Sequence, residues 1–589
     1  MSQRGISGAG GSLFDDPGQD GLMHRAFLRG AGLSAEEVRN RPVIGIAASS
    51  SDLNPCNLGL TSLTDEVKRG IREAGGLPLE FPTISISEPF TRPTSLFLRN
   101  LMSMDVEEMI RASPIDGVVL MGGCDKTVPA QIMGAVSADR PAMMVTAGPR
   151  PVSCHRGIRE LTVDDAWPFC DRRRVGEVDD AEWLEFEGNL NTDVGTCNVM
   201  GTASSMAAIA EVLGFALPGS SFPDAVSARR REIAHRTGVQ AVDAVRRGRR
   251  PSELITLQSL ENAFRAVTAL GGSTNSVIHL EAIAGRAGLQ IGLDRLQSWS
   301  RSTPYLANVR PGGDHTLPEL DAAGGVPAVM SQIADLLHLQ TPTATGTTWE
   351  QTLAGTSSPP GTVIAGRDTP RAPRGPLVML RGNLAPGGAV LKTAGTQDPS
   401  LFTHRGRVVV FDGLDDLNAR IDDPDLDVDP QSILVLRGLG PVGAPGMPEV
   451  GHIPIPAKLH RQGVTDMVRI SDARMSGTST GAVVLHVSPE SAVGGPLSRL
   501  QDGDEVLLDA EQGLLQHFVD EDVFAARPAF PAPQRPARGF ARLHAEHVLQ
   551  SEFGCDFDFL RSPEAPPAAP SHSSHSSPAS LDHQGVTTP

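Results

Sequence analysis

In the first half of the chain, apolar residues fall into short unbroken runs that alternate with stretches of helical period. Residues 42–47 (Pro-Val-Ile-Gly-Ile-Ala) form a run that predicts a buried strand, followed by a polar loop. Residues 65–74 predict a helix closed by Gly75-Gly76. A short strand over 77–81, a loop carrying Pro82, Pro89 and Pro93, a helix over 98–112 and a strand over 117–121 follow. Strands that alternate with helices predict an α/β domain with a largely parallel sheet, in which ligands sit beyond the carboxyl ends of the strands.

The second half is patterned differently. Short β-type runs at 377–380, 407–411, 432–436, 482–487 and 505–508 are separated by turn residues, predicting a β-rich, barrel-like domain. Residues 340–375, rich in Thr, Pro, Gly and Ser, suggest a linker or surface excursion. The expected organisation is a flexible arm over 1–38, an α/β domain over 39–370, the barrel-like domain over 371–560 and a disordered Pro/Ser/Ala/His tail over 561–589. Tail residues His572, His575 and His583 are expected to be solvated.

Composition narrows the function. The 589 residues carry 51 Lys and Arg against 69 Asp and Glu, a formal charge of −18, which argues against a general nucleic-acid binder but not against a small anionic substrate. Six cysteines in a chain of this length do not make a disulfide scaffold. Residues 1–20 lack the apolar core of a secretory signal. The most apolar stretch, 203–218, is too short to span a membrane and carries Glu211. A cytoplasmic, membrane-free protein is expected.

Three cysteines share a setting: Cys56 in Asn-Pro-Cys-Asn, Cys124 in Gly-Gly-Cys-Asp-Lys, and Cys197 in Gly-Thr-Cys-Asn. None forms a C-x-x-C pair, which excludes a zinc ribbon. They are either small buried hydrophobes or three thiolates for an iron–sulfur cluster with one iron position open for Lewis-acid chemistry. Cys154, Cys170 and Cys555 lack the setting. Asp125-Lys126-Thr127 after a double glycine is not a phosphate loop, because Asp125 stands where glycine is required. An Asp beside a Lys at a strand end better suits a hard-cation site, although an ammonium has no lone pair to donate. Gly438-Leu439-Gly440-Pro441-Val442-Gly443 imitates a dinucleotide fingerprint, but Pro445 and Pro448 prevent the helix that it must open. Glu449 at the end of that loop is either a ligand or a surface carboxylate. Ser476, between Met475 and Gly477, is not a nucleophile elbow; it is a turn serine or, in a positive field, a base.

Seven stretches taken together resemble the dihydroxy-acid and sugar-acid dehydratase family. They are PCN at 55–57, MGGCDKTVPA at 121–130, GTCNVMGTASSMA at 195–207, LGGSTNSVIHL at 270–280, RGNLAPGGAVLK at 381–392, GPVGAPGMPEVG at 440–451 and SDARMSGTSTGAVVLHVSPE at 471–490. They occur in family order and cover about 40 to 500.

The resemblance implies a hydro-lyase that converts a 2,3-dihydroxy carboxylate into a 2-keto-3-deoxy acid. By the same resemblance, Cys56, Cys124 and Cys197 are expected to hold a [2Fe-2S] cluster. Glu88, Asp125, Glu449 and a carbamylated Lys126 are expected to hold Mg²⁺, the carbamate supplying the missing oxygens. Ser476 is expected as the catalytic base, and Thr478, Thr94 and Ser95 are expected near substrate. SDARMSGT and residues 99–108 are more similar to aldonate dehydratases, such as those for L-arabonate or D-xylonate, than to the branched-chain dihydroxy-acid enzymes. Residues 148–152 and 160–165 depart from the sugar-acid pattern and bear on substrate choice, not on the metal ligands. A homodimer or homotetramer is implied. A non-catalytic binding homologue is the contrasting reading, and the loss of a ligand or of the serine that would favour it is not seen.

Overall fold

A computed structural model describes residues 13–356, 360–396 and 398–563. The N-terminal region holds four parallel strands, β1 (Val43–Ala48), β2 (Leu77–Pro82), β3 (Gly117–Gly122) and β4 (Ala142–Thr146), in the order β2-β1-β3-β4. Strand residues alternate between two helical layers. Ile44, Ile46, Val119, Met121, Met143 and Val145 pack with Leu60, Leu63, Val67 and Ile71 of the helix Leu60–Glu73 and with Ile233 and Val242 of Ala228–Arg247. Val43, Ala47, Val118, Leu120 and Met144 pack against Met102, Val106 and Ile110 of Leu96–Ala112 and Val128, Ile132 and Met133 of Thr127–Ala138. Burial on both faces explains why these strands appear as continuous apolar runs. The strand order reverses between β1 and β3, so the crevice at their carboxyl ends is the switch point where such sheets bind ligands.

A two-stranded hairpin, β5 (Ser153–His155) and β6 (Ile158–Leu161), begins an inserted segment with the helices Ala166–Arg174 and Asp180–Leu190. Its small core joins Leu161, Phe169, Val178 and Phe186, with Phe169 stacked on Phe186 at a centroid distance of 3.8 Å.

The C-terminal region is a closed eight-stranded barrel: β7 (Leu377–Gly382), β8 (Ala385–Lys392), β9 (Thr403–Asp412), β10 (Ile433–Arg437), β11 (Arg469–Ser471), β12 (Val483–Ser488), β13 (Glu505–Asp509) and β14 (Leu514–His517), ordered β10-β11-β12-β8-β7-β14-β13-β9. Leu380, Leu391, Val408, Val410, Val435, Ile470, Val484 and Val506 form its interior cluster. The alternate residues Val409, Phe411, Leu434 and Leu436 pack outward against Ile453, Ile455 and Leu459. This period of two is the pattern of a filled barrel.

Three expectations about organisation change. Part of the segment read as a flexible arm is helical, at Gln19–Gly30 and Ala35–Val38. Buried Phe14 and Val38 join the main core, and a Ser34–Glu37 capping box fixes the second helix. Residues 340–375 are not a tether: Trp349 is fully buried in the same core, and Ile364 and Ala372 bridge to Ala307 and Tyr305. Their Thr, Pro and Gly content masks a few well-placed apolar anchors. Finally, residues 548–560, assigned with the barrel, and 561–563, assigned with the tail, return to the first region. There Asp556 pairs with Arg286 at 2.6 Å, and the Gly554 and Cys555 carbonyls accept from Arg99. Residues 1–12 and 564–589, with the three tail histidines, lie outside the described residues. No described helix is long and apolar enough to cross a membrane.

Candidate active site between sheet and barrel

Cys124 and Asp125 follow β3 directly. Gly123 makes the turn, because a Cβ there would lie 2.4 Å from that of Ala147. Asn57, beside Cys56, accepts from the Cys124 backbone N–H at 2.8 Å and donates to Ser49 and Thr127, so one buried amide couples the loops after β1 and β3. The Cys56 and Cys124 thiols share a hydrogen bond. That bond, with burial opposing and Arg150 helping, lowers the Cys56 pKa. The same bond and burial raise that of Cys124. Burial pushes Cys197 up to about 12 against the pull of Arg150.

One ligand oxygen each from Glu88, Asp125 and Glu449 lie within 4.8 Å of one another, and among the described residues no other trio of His, Cys, Asp or Glu ligand atoms is so close. The three thiols are therefore spaced more widely than a single ion needs. The fully buried Lys126 ammonium lies among these carboxylates. It donates to Asp125, contacts Glu449 Oε1 at 2.6 Å and sits 3.2 Å from Glu88 Oε2. Burial and Arg474 press its pKa down, but the three carboxylates outweigh them and hold it above the ordinary lysine value. Burial opposes ionisation of Glu88, yet Lys126, Arg474, Ser95 and Thr94 keep it at about 2. Burial raises Glu449 despite Lys126.

The barrel brings Glu449 and Ser476 on loops. Arg474, fully buried, donates to Glu449 Oε1 at 2.6 Å, to Thr94 Oγ1 at 2.9 Å and to the Met447 carbonyl at 2.7 Å. Asn275 donates to the same Glu449 oxygen at 2.8 Å. Gly477 permits contact with the sheet region: a Cβ there would lie 2.6 Å from the Thr202 nitrogen. Ser476 Oγ lies 2.8 Å from Thr478 Oγ1, which accepts from the Trp167 indole N–H at 2.8 Å.

One cavity of about 700 Å³ is lined by all three cysteines and by Glu88, Asp125, Glu449, Ser476 and Thr478, together with Arg92, Arg150 and Trp167. A second, of about 390 Å³, shares Trp167 and Thr478 as its wall. Thr94 and Ser95 do not line either. Both are buried behind Glu88 and donate to its carboxylate, Thr94 at 2.6 Å. Sequence reasoning gave no role to Arg150, Trp167, Asn275 or Arg474. The last two lie inside quoted motifs, but their partners are distant in sequence.

The residues present suit the expected groups. Three thiols converge on one cavity, and thiolates are the ligands that iron clusters use. Three carboxylates already enclose one positive charge, the Lys126 ammonium, at a place where a divalent cation would satisfy them.

The chain also matches known proteins. Residues 41–352 match the family model described as dihydroxy-acid/6-phosphogluconate dehydratase N-terminal, and 362–555 match its C-terminal counterpart. The chain is 43% identical to 6-deoxy-6-sulfo-D-gluconate dehydratase of Pseudomonas putida, over 93% of this chain and 95% of that one. It is 44% identical to L-arabonate dehydratase of Azospirillum brasilense, over 92% and 95%. It is 37% identical to D-xylonate dehydratase of Caulobacter vibrioides, over 88% and 90%.

Proposed function

The chain belongs to the dihydroxy-acid/6-phosphogluconate dehydratase family and is a hydro-lyase, and from that premise we propose that it dehydrates a sugar acid to a 2-keto-3-deoxy acid. The observation that carries the reading is the single cavity on which three cysteines, three carboxylates and the Ser476–Thr478 pair converge. The sugar-acid branch is supported by the three relatives above, whose names all specify such acids.

In this reading a [2Fe-2S] cluster on Cys56, Cys124 and Cys197, and Mg²⁺ on Glu88, Asp125, Glu449 and a carbamylated Lys126, supply Lewis acidity when bound. Glu88, Asp125 and Glu449, which hold Lys126 charged, would be satisfied by such a cation, and the neutral amine that carbamylation requires would then be favoured. Ser476 Oγ, as alkoxide, takes the proton from C2 of the substrate. The electrons of that C–H bond form the C2–C3 double bond, the C3–O bond breaks, and the hydroxyl leaves as water with the proton that Ser476 returns. The resulting enol moves its C2-hydroxyl proton to C3 and becomes the 2-keto acid. Arg92 and Arg150 give the cavity wall positive charge suited to an anionic substrate. Thr94, Ser95, Arg474 and Asn275 fix the carboxylates from behind.

The test is 2-keto acid formation by anaerobically prepared protein loaded with iron and Mg²⁺, offered L-arabonate, D-xylonate, D-gluconate and 2,3-dihydroxyisovalerate side by side. Turnover of an aldonate with little on the branched acid is expected, and the reverse preference moves the protein to the branched-chain branch. Ser476→Ala is expected to lower kcat by at least about 10³-fold while leaving the cluster's visible spectrum unchanged. Substantial remaining activity removes Ser476 as the base.

A further inference from the structure

We propose that Trp167 is a positioning residue that sets the direction of the hydrogen bond on Ser476, so that Thr478 donates to the serine and not the reverse. The inference rests on the reading of Ser476 as the base. It follows from counting donors. An indole N–H can only donate. Trp167 Nε1 donates to Thr478 Oγ1 at 2.8 Å, filling an acceptor position on that oxygen. Thr478 has one hydroxyl proton, is only 4% exposed, and has one hydroxyl neighbour, Ser476 Oγ, at 2.8 Å. With the indole in place, the arrangement that satisfies every group points the Thr478 proton at Ser476. The Thr478 backbone N–H also points at Ser476 Oγ, at 3.3 Å. Two donors then face the serine oxygen, which favours its alkoxide and leaves its own proton free to go. Without the indole, Thr478 accepts from Ser476 as readily as it donates, and the protonated serine gains.

Trp167 is held for this task from both regions. It sits in the first turn of Ala166–Arg174. The preceding turn is tied to the Cys197 loop by the Val163 N–H on Asn198 Oδ1 at 3.1 Å. Arg310 ties it to the main body, donating to Thr162 and Asp165 at 2.9 Å each. The end of the helix reaches the barrel side, where Arg174 donates to Asp422 at 2.6 Å. The neighbouring aromatic cluster of Phe169, Trp183 and Phe186 gives the helix a core independent of Trp167. The ring also walls off the second cavity, beside His452.

The test compares Trp167→Phe, which keeps the wall and deletes the N–H, with the unmodified enzyme across pH. The other titratable or charged groups around the cavity are Glu88, Asp125, Glu449, the three cysteines, Arg92 and Arg150, with Lys126 and Arg474 behind; on the second-cavity side of Trp167 and Thr478 they are His452, Asp164, Asp165, Asp171, Arg172, His460, Asp466 and Arg469. All are common to both proteins, so a difference between the two profiles reports the relay. The acid limb of kcat/KM is expected to move up by about one pH unit, with kcat at neutral pH down about 10-fold. Thr478→Ser, which keeps the hydroxyl, should retain the wild-type limb. In a Thr478→Val background, Trp167→Phe should have no further effect. Independently of turnover, the ¹⁵N-indole resonance that disappears in Trp167→Phe should shift and lose exchange protection in Thr478→Val. A change in KM with an unmoved pH limb, or a further loss in the Thr478→Val background, overturns the relay and leaves Trp167 as a wall. If Ser476→Ala keeps its activity, the base reading fails, and the relay falls with it.

Discussion

On the sheet side of the site, Cys124 and Asp125 stand directly beyond β3, and their loop is fixed by a single amide, Asn57. On the barrel side, Glu449 and Ser476 stand on irregular loops, 438–456 and 472–482, and buried carboxylates hold the backbone. Asp472 accepts from the N–H groups of Gly438, Leu439 and Ser491 at 3.2, 3.0 and 3.0 Å. Glu490 accepts from those of Val442 and Gly443 at 2.9 and 2.8 Å. Regular strand ends position ligands through the ladder itself. Loops this long need their orphan N–H groups satisfied by side chains. The barrel half of the site therefore depends on ionisable residues that never touch the cavity.

The largest expected effect tests that asymmetry. Asp472→Ala orphans the Leu439 and Ser491 backbone donors and the Ser491 hydroxyl, leaving Gly438 N–H only Ser491 Oγ, and should cost more than about 3 kcal/mol in urea unfolding, with turnover falling because both barrel loops lose their anchor. Asn57→Ala, its counterpart on the sheet side, should cost about 1–3 kcal/mol, since β1 and β3 still define the loop ends. Equal costs in the two variants would mean that both halves are held alike.

A smaller effect concerns pH. Burial and the nearby Asp472 push Glu490 up to about 7 from its usual 4.5. A folded-state value above the unfolded one means that the folded protein binds more protons between these values, so stability is fullest below about 4.5 and falls as pH rises through about 7. Burial raises Glu211 and Glu281, in the first region, to about 7 as well. Buried His452, His486 and His544, held at about 3, bind protons only when unfolded and oppose this decline below about 6.5, so the Glu490 share is read as a difference between variants. Glu490→Gln should lower the melting temperature at pH 5, where hydrogen bonds are lost, and its deficit against the unmodified protein should shrink as pH rises through about 7. A deficit that stays constant with pH would show that Glu490 does not gain its charge between these values.

The same asymmetry explains what the sequence disclosed. β1, β2 and β3 and the helices between them were legible because burial on both faces leaves continuous apolar runs, whereas β4 and the helix Thr127–Ala138 were not read from the sequence. The motif cysteines, Asp125, Glu449 and Ser476 were legible because their stretches resemble a family. Arg474 was not, although it lies two positions from Ser476: its role exists only through Glu449 and Thr94, which other elements deliver. Trp167 lies outside every quoted motif, just beyond the departing segment 160–165. Thr94 and Ser95 were expected at the substrate and instead support Glu88, a distinction of one layer of depth that spacing does not encode.

The smallest effect lies at the seam between the regions, where composition suggested a linker. Trp349 is fully buried, and its indole N–H donates to the Val212 carbonyl at 3.1 Å, at the end of the helix Thr202–Val212. That carbonyl belongs to a last helical turn, whose acceptors have no partner within the helix. Trp349→Phe removes the donor and part of the ring but leaves the rest of the buried surface. A loss of about 1–2 kcal/mol in unfolding free energy is expected, with kcat and KM unchanged because the opposite end of that helix faces the cavity. A tether would tolerate the change at no cost. A seam that belongs to the sheet region pays in stability alone, and a loss of turnover without a loss of stability would show instead that the segment adjusts how the barrel meets the sheet.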